Sequence, residues 1–358
     1  MKILDWYILK RYLFTFLMML LLFIPIGITV NLAEKIGKIL ENKVPFGEVA
    51  LYYLNFTIYF ANLLFPIFLF LSVIWFTSKL ANNTEIVAFL SSGVSFSRFL
   101  RPYIIGATLV SLFAMILGFY LAPIASQGFN EFTYKYLKSA RHQDPGQNIF
   151  RQINDTDLIF VSSFDKIQKT GYNFTLEHIE GNELKYKMFA NSIRYSEADS
   201  TYKLFNYYKR TITDNGDIIE AQRQLDTVLP FDLEDLMPVN YIAETKPYSE
   251  LVEFIDKEKA RGSSNIGRYE IVKYKKWSLP VSVFILTIIA VAVSSIKRRG
   301  GMGFNLAFGI TTAMVYVFFD KVFGVLAEQS DFSPIIAAWL PNLVFGILAI
   351  FLLYNAKR

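Results

Sequence analysis

Six apolar runs constrain this chain more than any other feature. Residues 13–30, 53–77, 103–123, 277–296, 304–326 and 334–354 are dominated by Leu, Ile, Val, Phe and Ala. Each is long enough to cross about 30 Å of hydrocarbon as a helix. A backbone inside lipid must satisfy its own hydrogen bonds, so the chain reads as a membrane α-helical bundle of six transmembrane helices. Asn62 and Pro66 fall within the second run and are tolerated there if they face other helices. The first run has no small-residue cleavage site and is followed by further spans, unlike a signal peptide. Residues 1–11, with Ile3, Leu4, Tyr7 and Ile8 apolar, read as an interfacial turn of helix leading into it.

Basic residues on short loops orient the bundle. Lys2, Lys10 and Arg11, then Lys79, Arg98 and Arg101, then Lys297, Arg298 and Arg299, and finally Lys357 and Arg358 fall on one side. Both termini are therefore expected in the cytoplasm and residues 126–274 outside. Lys35, Lys38 and Lys43 past the first span, and Lys273, Lys275 and Lys276 before the fourth, run against this pattern. Glu34, Glu41 and Glu48 offset the first group in part. The outer lysines need a reason of their own.

The polar middle changes character. Residues 126–147 read as a helical extension of the third span, broken at Asp144-Pro145-Gly146. From 148 to about 232 come short segments rich in aromatic and branched residues, among them DLIFVSSF, LKYKMFANSIRYSE and YKLFNYYKRTIT. Turn clusters such as Gly181-Asn182 and Asp214-Asn215-Gly216-Asp217 separate them, as in a sandwich, roll or open barrel. Strand alternation places Phe160, Ser162 and Phe164 on one face, and Tyr186, Met188 and Ala190 on one face of another strand. That face lines either an apolar groove or a closed core. Residues 247–261 then read as a helix stopped by Gly262, and a second helix from Ile266 runs into the fourth span. The division is 1–125, 126–274 and 275–358.

Catalytic chemistry has little to work with. The chain has no cysteine, and its two histidines, His142 and His178, are far apart. No phosphate loop, nucleophile elbow or HExxH pattern occurs, and Gly300-Gly301-Met302-Gly303 lacks the strand-to-helix setting of a nucleotide site. A non-catalytic membrane subunit without a cofactor or a nucleic-acid partner is expected. Asp320-Lys321 is the unusual charged pair inside a span. It is a functional candidate, or it lies close enough to the interface to snorkel.

Between the second and third spans lies NNTEIVAFLSSGVSFSRFLRP, residues 82–102. Asn83 or Thr84 can cap a helix with Glu85 in its first turn, where the dipole favours a carboxylate. Ile86, Phe89 and Leu90 follow as an apolar stripe. Ser92-Gly93 supplies the stop, and Ser95 can cap the next helix with Val94 and Phe99 as a staple. This is a knob that a soluble protein could grip, or an interfacial helix that merely connects two spans.

LDWYI at the start, TEIVAFLSSGVSFSRFL, GRYE at Gly267 to Glu270 and FDKVFG at Phe319 to Gly324 together resemble the permease family of the lipopolysaccharide exporter, LptF/LptG. The LDWYI start and the helix before GRYE resemble the LptG half more closely. The resemblance covers essentially the whole chain and implies a periplasmic β-jellyroll within residues 126–274. It implies a coupling helix at 82–97 with Glu85, Ile86, Phe89, Leu90, Ser92 and Gly93 at the ATPase. The implied partners are a sister permease of the LptF type, an LptB-type cytoplasmic ATPase dimer holding ATP and Mg, an LptC-type single-span jellyroll protein and an LptA-type periplasmic bridge. Lys35, Lys38 and Lys43 become contacts for the phosphates of lipopolysaccharide, with Asn31 standing one turn earlier where a base would fit the pattern. Simple solvation of a helix end would also account for these lysines. Phe160, Phe164 and Met188 would line the lipid groove, and Asp320 with Lys321 would form a transmembrane pair at the entrance. The resulting reading is the permease subunit of an ATP-driven extractor in the Gram-negative inner membrane. An ion-coupled transporter, or a sensor or scaffold with an outer β domain, are the alternatives.

Overall fold

A computed structural model describes residues 3–137, 148–165, 168–181, 183–196, 201–213, 216–231, 236, 239–263, 265–296, 301–330 and 332–356. Lys2, His142, Asp144-Pro145-Gly146, Asn182, Asp214, Asn215, Lys297 to Gly300, Lys357 and Arg358 lie outside the described residues. Six helical segments among them are long and apolar enough to cross a membrane. In chain order the elements begin with α1 (Ile3–Glu41), α2 (Phe46–Asn82), α3 (Glu85–Ser91) and α4 (Phe96–Ile116). A π turn (Leu117–Leu121), α5 (Ala122–Phe132) and a second π turn (Thr133–Leu137) complete the third span and its extension. Seven strands follow, then α6 (Val239–Thr245), α7 (Tyr248–Ala260), α8 (Ile266–Ser294), α9 (Gly301–Gln329) and α10 (Pro334–Ala356).

The helices outrun the apolar stretches that announce them. Residues 3–11 are not a separate interfacial turn but the first turns of α1. Asp5, Ile8, Leu9, Tyr12, Phe16 and Leu20 are buried there at helical spacing, so the segment packs as a continuous stripe.

The chain divides into two compact units, Met1–Gly37 with Pro45–Phe129 and Gly267–Arg358, and Lys38–Val44 with Asn130–Ile266. The first, the membrane unit, has an aromatic interior in which Tyr103 meets Tyr12, Phe76 and Phe99 at ring distances of 6.3, 5.4 and 5.4 Å. Hydroxyl and amide groups tie its helices together. Tyr12 bonds Thr287 at 3.2 Å, Thr77 bonds Tyr103 at 3.1 Å and Asn305 donates to Ser78 at 3.1 Å. Tyr316 donates to Asn342, which donates in turn to the Ser278 carbonyl, at 2.9 and 2.8 Å. Without water to compete, such bonds hold helix to helix, each contributing about 0.6 kcal/mol on average.

The second unit carries an antiparallel sheet of seven strands: β1 (Ile149–Gln152), β2 (Asp157–Val161), β3 (Ser163–Asp165), β4 (Thr170–Glu180), β5 (Glu183–Ser196), β6 (Thr201–Thr211) and β7 (Ile218–Thr227). The order is β1-β2-β4-β5-β6-β7, with β3 also pairing β4. This is the inserted β domain. Pairing lapses along one line through Asn173, Asn191, Asn206 and Arg223, although the register on either side of it is unchanged. Asn173 and Asn206 sit there in the left-handed region, at φ 51° and 52°, which asparagine tolerates better than most residues. The pleat inverts across this line. In β5 the buried residues are Met188 and Ala190 before it and Ile193 after it. An asparagine line thus bends the sheet while keeping one face inward. Phe174, Leu176, Met188, Ala190, Ile193 and Leu204 form the core with Leu229, Phe231 and Leu236 from the segment after β7.

Candidate functional site

The α3 knob is built by two abrupt turns. The first is at Thr84, which takes φ 61° and ψ 10°, a costly conformation for a β-branched residue. Its side chain does not cap α3; its hydroxyl turns to the Asn83 carbonyl at 2.6 Å. The second turn is at Gly93, whose φ of +83° suits a residue without Cβ. Gly93 N–H bonds the Leu90 carbonyl at 3.1 Å and Val94 N–H the Phe89 carbonyl at 3.3 Å, the paired bonds of a Schellman stop. Ser95 then caps α4, its hydroxyl accepting from Arg98 N–H at 3.3 Å.

Within α3 the expected stripe splits. Ile86 is 1% exposed and belongs to the membrane unit's core, so it cannot be a contact for a partner. Phe89 packs against the same core with its ring 6.4 Å from Phe99. The outward side chains are Val87, 57% exposed, and Leu90, 38% exposed, beside exposed Ser92 and Gly93. A helix of seven residues makes about two turns, too few for apolar spacing to tell an inner stripe from an outer one.

Glu85 also points inward. Its carboxylate accepts from the Tyr7 hydroxyl at 2.8 Å and from Asn83 Nδ2 at 3.2 Å. Beside it Arg98 donates to the buried Asp5 at 2.7 Å. Sequence reasoning missed Asp5 and Tyr7. The available signal was Asp5 itself, a carboxylate in an otherwise apolar first turn.

Most of the lysines beside the spans have definite partners. Lys35 pairs with its neighbour Glu34 at 2.6 Å. Lys38 donates to the Leu137 carbonyl at 2.9 Å, while Asn42 takes that of Tyr136 at 2.7 Å. Lys38 therefore caps the π turn that ends the third span's extension. Lys43 is exposed and occupies φ 48° where α1 stops. Before the fourth span, Lys276 donates to the Gly118 carbonyl at 2.9 Å, inside the other π turn. A π turn breaks the regular bonding ladder and leaves carbonyls for such donors. Lys273 lies over the Tyr274 ring at 5.0 Å.

Asp320 is paired with Lys275, at 2.8 Å, and not with Lys321. Lys275 also bonds the Asp320 backbone carbonyl at 3.0 Å. Gly324 makes room for it, since a Cβ there would stand 2.8 Å from Nζ. Adjacent residues on a helix point about 100° apart, so Lys321 turns away and is exposed.

The three groove candidates do not share a face. Met188 and Phe164 join the sheet's core. Phe160 pairs across to Thr175, and Thr175 to Phe189, which puts it on the face opposite Met188. There its ring lies 4.6 Å from Phe150, beside a cavity of about 470 Å³ also lined by Leu158, Glu177, Lys187, Gly262, Ser263 and Asn265.

The architecture is a bundle of six candidate membrane helices with an inserted antiparallel β domain. The sequence matches the family described as lipopolysaccharide export system permease LptF/LptG over residues 6–355. The chain belongs to that family. It is 20% identical over 353 residues to "Lipopolysaccharide export system permease protein LptG" of Escherichia coli strain K12, covering 98% of each chain. The same figures hold for the LptG protein of E. coli O6:H1 strain CFT073.

Proposed function

We propose that this chain is the LptG-type half of an ATP-driven transporter that extracts lipopolysaccharide from the inner membrane. The α3 knob carries this reading: Val87 and Leu90 are exposed side by side on a base locked by Ile86, Phe89 and Glu85. In this proposal an LptB-type ATPase dimer binds ATP and Mg and grips the outward face of the knob. This chain itself holds no cofactor. Both termini lie in the cytoplasm, and the β unit lies in the periplasm as the jellyroll. An LptF-type sister completes the cavity, and LptC-type and LptA-type jellyrolls continue the path.

Lys35 and Lys43 are assigned to the phosphates of the head group; Lys38 serves the helix end described above. The ion-coupled alternative loses ground because Asp320 is held by Lys275.

The test is co-purification followed by reconstitution in vesicles containing lipopolysaccharide. An ATP-hydrolysing partner should accompany the chain, and ATP should drive lipid onto a soluble jellyroll acceptor. Transport without ATP, or no associated ATPase, contradicts the proposal.

A further inference from the structure

The knob and the first turns of α1 are tied by contacts that chain connectivity does not require. The Tyr7 hydroxyl reaches Glu85, the first residue of α3, and Arg98 in the first turn of α4 reaches Asp5. The two helices on either side of the Gly93 elbow are therefore both held to α1. Arg11 lies over the Tyr7 ring at 4.5 Å and covers the contact. Asp5 is 4% exposed, so its bond to Arg98 is charge-assisted and shielded from water.

Farther along, α1 is held differently. From Leu20 to Ile39 every intervening side chain is half-buried or exposed, over about 28 Å at 1.5 Å per residue. Along its middle the contacts come from α2: Phe23 stacks on Phe68 at 5.2 Å, and Tyr52 donates to Asn31 at 3.1 Å; its outer end is held by Lys38 at the Leu137 carbonyl. A helix held near its two ends and supported along one side between them can shift its middle when one end is moved, as in shear between packed helices.

We propose that Tyr7 and Asp5 are positioning residues for energy coupling: they latch α1 to the knob, so that displacement of α3 by a docked ATPase shifts the middle of α1. The proposal rests on the coupling function given above for α3. It assigns Glu85 an internal role, with Val87 and Leu90 left to meet the partner. It also explains why a carboxylate is kept at the buried position 5 in the first turn of α1.

Tyr7→Phe removes one hydroxyl and keeps the ring. In the purified complex, reconstituted with lipopolysaccharide, this variant should retain its ATPase partner. Lipid delivered per ATP hydrolysed should fall about threefold or more, a loss of coupling of at least about 0.6 kcal/mol. Asp5→Arg and Arg98→Asp should each lower the same ratio or the yield of complex, and the double swap should restore both.

The chain has no cysteine, so labels at Val30→Cys on α1 and Ile347→Cys on α10, both exposed, report the movement directly. Their separation should change on ATP addition in the otherwise unaltered protein and stay fixed in Tyr7→Phe. An unchanged lipid-to-ATP ratio and label movement in Tyr7→Phe would overturn the latch. Failure of the unsubstituted chain to recruit any ATPase would overturn the coupling reading itself, so the two failures are distinguishable.

Discussion

In the membrane unit, Phe14, Leu21, Phe318 and Ile350 face outward while Ser78, Ser282, Thr287 and Asn342 are buried. In the β unit Phe174, Leu176, Ile193 and Leu204 are buried, and charges such as Lys187 with Glu177 and Arg210 with Asp217 lie at the surface. The same apolar residue types thus do opposite work. Lipid removes the hydrophobic reason to hide leucine, so the bundle is held by small polar bonds and close packing. Water keeps that reason in force for the sheet, whose stability comes from burying one face. A substitution should accordingly have opposite consequences in the two units, and each prediction below tests this.

Met188→Glu should have the largest effect. It places a charge in the β core without a partner, costs several kcal/mol and should abolish the protease resistance of the β unit in the intact chain. Phe160→Glu, on the opposite face, should leave that resistance within about 0.5 kcal/mol of normal. Equal loss in both would mean that the two faces are not distinct.

Asn342→Leu should come next. Replacing one partner of a buried hydrogen bond with an apolar residue strands the other. Here it removes the acceptor of the Tyr316 hydroxyl and the donor to the Ser278 carbonyl. A loss of about 1–2 kcal/mol in unfolding from detergent is expected; unchanged stability would deny the polar account of the bundle.

Lys275→Met should destabilise by about 1–2 kcal/mol, because it leaves the Asp320 carboxylate without its cation. Lys321→Met should change stability by less than about 0.5 kcal/mol. The pair's side chains are 27% and 26% exposed, so solvent screening sets the upper limit on the first figure. A larger effect at Lys321 would restore the neighbouring-residue pairing.

The smallest effect concerns pH. His178 Nδ1 donates to the Asp157 carboxylate at 2.7 Å, with Glu180 3.5 Å from Nε2. The Asp157 bond chiefly raises the imidazole above its ordinary value, against an opposing contribution from burial. The protonated form is favoured by folding. Its stabilisation is fully present below the unfolded value, about 6.5, and is lost as pH rises through the raised folded value. Pulse proteolysis of the β unit in the intact chain should show this decline, and His178→Gln should flatten it. A slope unchanged by the substitution would assign the dependence to other groups.

The spans were legible because lipid demands long apolar helices, and the Gly93 stop and Ser95 cap because both act locally. Contacts made at a distance were not. Tyr7 meets Glu85 across 78 positions and Lys276 meets Gly118 across 158, which helical spacing cannot report. Face assignment in the sheet failed for another reason. Phe160 and Met188 belong to different strands, and alternation within each fixes only relative direction, while register and the left-handed asparagines decide which side is core. Ile86 was misassigned because α3 is too short to show its orientation.

The most direct test of the central claim is photo-crosslinking from the knob in intact membranes, with a benzophenone amino acid placed singly at Val87, Leu90 or Ile86. Val87 and Leu90 should give adducts with an ATP-hydrolysing subunit, increased or shifted by nucleotide, and Ile86 should give none. Adducts from Ile86 equal to those from Val87, or none from any position in a complex that still exports lipid, would contradict the account.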